Sequence, residues 1–167
     1  VNGRISSVPS EVMEDVIDLY ERAAEQGRTN EHLGGISVAY DLFINQKIDM
    51  YQIWFEAAKD MGIRPWLSFR MNDCHSSFST DTTLVPEFYL EHPNLKRVTY
   101  RPAVSSADNC YDYSFDAIRK MMEDYIEEML VRYDAYGIEL DFMREMTCFQ
   151  PGFERANAHI MTDFVGR

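Results

Sequence analysis

The stretch Tyr136-Gly137-Ile138-Glu139-Leu140-Asp141-Phe142-Met143-Arg144-Glu145 decides how the rest of the chain is read. Successive side chains of an extended strand alternate between faces, so Ile138, Leu140 and Phe142 share one side and Glu139, Asp141 and Met143 the other. In a parallel sheet both faces are covered. Ionised acids on a covered face need water, a cation, hydrogen-bond donors or a substrate. The stretch is therefore expected at the mouth of a barrel, with its acids facing a ligand. The plain structural alternative is an ion pair of Glu139 or Asp141 with a nearby arginine.

An earlier run has the same construction. Ile63-Arg64-Pro65-Trp66-Leu67-Ser68-Phe69-Arg70-Met71-Asn72-Asp73 puts Leu67, Phe69 and Met71 on one side and Trp66, Ser68, Arg70 and Asn72 on the other. Each run follows a helical one. Residues 47–61 offer Ile48, Tyr51, Ile53, Trp54, Phe55, Ala57 and Ala58 as a buried side, and Gly62 as a stop. Residues 114–134 repeat Ile118, Met121, Met122, Tyr125, Ile126, Met129 and Tyr133 at three and four, with Ser114 as the expected cap. Their methionines read as core filling.

Upstream, residues 9–27 read as a helix capped by Ser10 and ended by Gly27. Gly34-Gly35-Ile36-Ser37-Val38-Ala39-Tyr40 reads as a third strand. Glu87 to Glu91 reads as a helical turn, and residues 153–164 as the start of another helix. Strands that each follow a helix predict βαβ units and a parallel sheet. The fold class is thus α/β, a partial (β/α)8 barrel of TIM type. A whole barrel of this kind needs about 250 residues, and the 167 residues here read as one domain, a segment of a larger barrel or an open half-barrel sheet. Exposed apolar edges on a truncated sheet predict self-association as a homo-oligomer.

Composition narrows the partners. There are 28 acids against 16 bases, a net charge of −12, which argues against nucleic acid and against an anionic membrane surface. No apolar run approaches the roughly 20 residues of a membrane span. The sequence begins with Val1 rather than Met, so the natural N-terminus is expected upstream, and localisation stays open. Cys74, Cys110 and Cys148 are widely spaced without a CxxC pair, so they read as free thiols beside the strand ends. There is no G-x-S-x-G, P-loop or GxGxxG, and no cofactor is expected.

The chemistry therefore concentrates at two strand ends. One offers Ser68, Arg70, Asn72, Asp73 and His75, and the other Glu139, Asp141, Arg144 and Glu145. Paired carboxylates with Arg, Asn and His fit glycoside hydrolysis, in which one acid protonates the leaving oxygen and the other attacks or activates water. Asp141 is the expected nucleophile or stabiliser, with Glu139 or Glu145 as proton donor. Arg70, Asn72, Asp73, His75, Arg144 and Trp66 form the expected substrate-binding set. Phe78, Phe88, Tyr89 and Tyr100, in the long connection after the first strand, are candidates to stack on a sugar ring or to pack that loop down. Two rivals stand beside hydrolysis: a sugar-binding or structural barrel without turnover, and a metal-dependent hydrolase using Asp73, His75, Asp141 and Glu145.

Three runs together resemble a known group. These are residues 47–54, the Arg70-Met71-Asn72-Asp73-x-His75 motif with the run before it, and Arg132-Tyr133-Asp134 followed by Gly137-Ile138-Glu139-Leu140-Asp141-Phe142-Met143-Arg144. The likeness, over residues 34 to 165, is to bacterial glycosyl-hydrolase-like TIM-barrel proteins. The resemblance implies a (β/α)8 barrel with a sugar-type site at the strand C-termini. It implies site roles for Arg70, Asn72, Asp73, His75, Glu139, Asp141 and Arg144.

Overall fold

The computed structural model describes residues 5–28, 33–73, 85–143 and 145–167. It is a mixed α/β structure whose two described strands, β1 (Trp66–Arg70) and β2 (Gly137–Asp141), pair in parallel. The expectations on His75, Arg144, Cys74 and Phe78 fall outside the described residues.

Local sequence explains most elements. Helix α1 (Val16–Glu25) starts at Asp15, whose carboxylate accepts from the Ile17 and Asp18 amides while Asp18 reaches back to the Asp15 amide. Two orphan donors are thereby satisfied. Ser10, the expected cap, closes an earlier turn instead: its hydroxyl accepts from the Val12 and Met13 amides and donates to Glu128. The helix cap therefore lies five residues later than the sequence suggests.

The expected strand at residues 34–40 is a helix, α2 (Gly35–Tyr40), continued by a π-helical turn Asp41–Asn45. Ile36, Ala39, Tyr40 and Phe43 recur at helical spacing, and the Tyr40 ring stacks on Tyr20 of α1 with centroids 4.1 Å apart. That contact gives the segment a helical partner, which its β-branched composition does not announce.

Helix α3 (Met50–Asp60) is capped by Asp49, which accepts from the Tyr51 and Gln52 amides, and Gly62 follows at φ +71. Its buried side is narrower than expected. Phe55 is buried and Tyr51 packs on the core, but Ile53 and Trp54 face solvent. A short helix α4 (Glu87–Glu91) and the long α5 (Asp116–Arg132) complete the crossover from β1 to β2. Phe115, not Ser114, occupies the α5 cap position. A last helix, α6 (Ala158–Val165), follows β2.

The core lies between the sheet and α5. Leu67, Phe69 and Met71 are buried, and Phe69 meets Tyr125 of α5 edge-on at 5.9 Å. Ile118, Met122 and Met129 fill the same side of α5, and Tyr133 packs on Phe55 and Tyr51. Each such side chain contributes roughly 1.5–3 kcal/mol by leaving water. Ile138 and Leu140 of β2, and Phe142 just after it, pack against this core and stay partly accessible. Their neighbours on the opposite face, Trp66, Ser68 and Glu139, are exposed.

Candidate functional site at the strand ends

The ladder register fixes the site. Parallel pairing sets Ser68 opposite Glu139 and Arg70 opposite Asp141. Alternation then puts all four side chains on the face turned away from the core. The two polar strand ends expected from sequence thus meet as neighbours at the C-terminal edge of one sheet. Glu139 and Asp141 sit two residues apart on that face, with α-carbons roughly 6.6 Å apart for an extended strand.

Asp73, Asp141 and Glu145 each have a defined contact. The Arg70 guanidinium reaches the Asp73 carboxylate at 3.4 Å; the Asp73 side chain is nearly sealed from solvent and that of Arg70 is not. Asp141 Oδ1 accepts the Met143 amide at 2.8 Å, an Asx turn that bends the chain sharply as β2 ends. Glu145 Oε1 accepts from the Ser106 hydroxyl at 3.3 Å, which joins the loop after β2 to a 3-10 turn, Ser106–Asn109.

Asn72 is placed differently from its neighbours. It is 1% exposed. Its Oδ1 accepts the Tyr111 amide at 3.1 Å, and its Nδ2 donates to the carbonyls of Tyr111 and Thr147 at 3.2 and 2.8 Å. Both amide hydrogens are therefore committed to backbone, and the residue ties the end of β1 to two distant loops. Trp66 lies at the N-terminal end of β1, about 13 Å along the strand from Arg70. Its ring lies over Gly137 and tilts against Tyr136, with centroids 6.3 Å apart. The structure groups Arg70, Glu139 and Asp141 at one end, with Asp73 held by Arg70, and leaves Trp66 at the other, while Glu145 is tied to Ser106.

The two cysteines among the described residues are poorly placed to act as nucleophiles. Cys110 and Cys148 are both buried beside Asn72, and burial pushes the Cys148 thiol up to about 11, so it stays protonated at neutral pH. Among the described residues no group of three or more His, Cys, Asp or Glu side chains is placed to hold a metal ion. The metal reading with Asp73 and Asp141 turns on His75, outside those residues. No helix among the described residues is long and apolar enough to cross a membrane.

Sequence reasoning missed the hub beside this edge. Asp108 is buried and accepts four hydrogen bonds: two from the Arg101 guanidinium at 2.8 and 3.2 Å, and two from the Val104 and Ser105 amides at 2.8 and 3.3 Å. The Arg101 contact, then the Val104 amide, draw its carboxyl down to about 2. The available signal was the Ser105-x-x-Asp108 spacing, a helix-start signature. Buried Arg97 adds a second tie, donating to the carbonyls of Phe149 and Ala107. Searches with this sequence find no matching model of a known protein family and no matching curated protein.

Proposed function

We propose that β1, β2 and their helices are successive units of a (β/α)8-type barrel, and that the edge carrying Arg70, Glu139 and Asp141 is a carbohydrate site with glycoside hydrolase activity. The observation that carries this reading is the rung shared by Arg70 and Asp141 at the C-terminal end of two parallel strands, where α/β barrels place their sites. In this reading Asp141 stabilises or attacks the anomeric carbon, with Arg70 on the neighbouring strand of the same rung. Glu139 or Glu145 supplies the proton to the leaving oxygen. The Glu139–Asp141 backbone spacing is compatible with the roughly 5 to 9.5 Å between carboxyl groups that glycosidases use. Asn72 contributes by fixing the surrounding loops. A glycan panel assayed with the wild type and Asp141→Asn tests the reading. Loss of turnover in a variant with an unchanged circular dichroism spectrum is expected, and equal turnover removes Asp141 from the mechanism.

One observation favours a second reading, sugar binding without turnover. Asp141 Oδ1 is already engaged by the Met143 amide, which suits a fixed acceptor of hydroxyl groups as well as it suits a nucleophile. Calorimetric binding of a glycan that is never cleaved would select this reading.

A further inference from the structure

The connection after β1 holds four aromatic candidates, either to stack on a sugar or to pack the loop down, and the structure separates three of them. Tyr89 is buried and donates through its hydroxyl to the Asn109 carbonyl. Phe88 packs on the core between His92 and Tyr111. Phe78 is outside the described residues. Tyr100 is 59% exposed.

Tyr100 does not sit on a slack loop. Residues 96–98 run antiparallel to 108–111, through the Lys96–Tyr111 bridge and bonds from the Arg97 amide to the Cys110 carbonyl and from the Val98 amide to that of Asp108. Residues 99–107 therefore form the tip of a hairpin. Asp108 braces that tip from inside through Arg101, Val104 and Ser105, and Ser106 anchors it to Glu145 in the loop that follows β2. A buried carboxylate accepting four bonds holds a small loop in one conformation and lowers the entropy lost when it binds.

Among the polar residues Thr99, Arg101, Ser105 and Ser106, this rigid tip also displays apolar side chains, with the Arg101 guanidinium 5.9 Å from the Tyr100 ring centroid. Val104 is 80% exposed, and across the Ser106–Glu145 contact the loop after β2 displays Met143 and Met146, 79% and 73% exposed. These residues gain nothing from burial in the fold. Apolar groups held beside carboxylates and an arginine match the two-sided chemistry of a pyranose, which offers hydroxyls at its rim and C–H groups on its faces.

We infer that the hairpin tip 99–107 is a second binding element of the strand-end site, in which Tyr100 receives the C–H face of a sugar ring and Asp108 acts as its positioning residue. This rests on the carbohydrate reading of that site. The test is calorimetry of the full chain with the glycan that the panel selects. Tyr100→Ala weakens binding about 10-fold, the scale of one aromatic contact, and Tyr100→Trp restores it. Val38→Ala, at an equally exposed apolar position on α2, binds like the wild type. Asp108→Asn weakens binding and also speeds hydrogen exchange at the Val104 and Ser105 amides. If Tyr100→Ala binds as tightly as the wild type while Asp141→Asn loses turnover, the inference is overturned and the proposed function stands. If no glycan binds the wild type, both are overturned.

Discussion

The side-chain amide of Asn72 meets the backbone of Tyr111 at both of that residue's hydrogen-bonding groups, and its remaining hydrogen goes to the Thr147 carbonyl. A side chain used this way stands in for a missing strand, because it satisfies buried backbone where no ladder runs. Asn72→Ala strands one amide and two carbonyls in a sealed place. The expected loss is about 2–4 kcal/mol in chemical denaturation. Asn72→Asp is expected to be no better, since a carboxylate cannot donate to either carbonyl. Were Asn72 chiefly a substrate ligand, Asn72→Ala would keep its denaturation midpoint and lose glycan binding instead.

Trp66 and Gly137 oppose each other on the first rung of the ladder. A β-carbon at position 137 would come within 2.9 to 3.0 Å of three indole atoms. The indole is 58% exposed and free to swing aside. Gly137→Ala is therefore expected to cost only about 1 kcal/mol, at the low end for overpacking. In a Trp66→Ala background the cost should vanish, because the clash partner is gone. A double-mutant cycle checks this, and an equal cost in both backgrounds would place the strain elsewhere.

The sheet was legible for a definite reason. From Leu67 to Arg70 and from Ile138 to Asp141 apolar and polar residues alternate without a break, and pairing them in register brings the polar residues together. Helix α5 was equally plain, since its stripe runs over several turns. The segment at residues 34–40 was too short to distinguish periods of 2 and 3.6, and its helical partner, Tyr20, lies far away in sequence. The Asn72 clamp shows no pattern along the chain, and the Asp108 hub shows only its Ser105-x-x-Asp108 spacing. The clamp joins residues 39 and 75 positions apart. The hub is local, but its meaning depends on the hairpin that surrounds it.

The α5 stripe makes a quantitative claim about two residues one position apart from Leu130. Met129 is fully buried, and Val131 is 84% exposed. Met129→Ala leaves a cavity beneath the sheet and should cost about 2–4 kcal/mol. Val131→Ala removes little contact and trades a β-branched residue for a better helix former, so it should stay within about 0.5 kcal/mol of the wild type. Urea denaturation of the two variants decides the matter. Similar losses in both would mean that α5 is rotated from the orientation described.

The Asp108 hub sets an acid limit on the hairpin tip. Its carboxyl lies at about 2 in the folded chain against an ordinary 3.8, because Arg101 and the Val104 amide favour the charged form. A folded-state value below the unfolded one means that protons bind the unfolded chain more readily. The contribution is therefore fully present above about pH 4 and is lost as the pH falls from 3.8 towards 2. Asp41 and Glu154 are also held below their ordinary values, by Asn45 and Gln46 and by backbone amides respectively. Both would mix into an acid titration of the wild type alone. The difference between the wild type and Asp108→Asn cancels them, since the variant keeps both groups. That difference in denaturation midpoint should be steady from pH 7 to 5, shrink below pH 4 and be smallest near pH 2. A gap that stayed constant down to pH 2 would mean that the Asp108 charge does not hold the tip and that its neutral shape suffices.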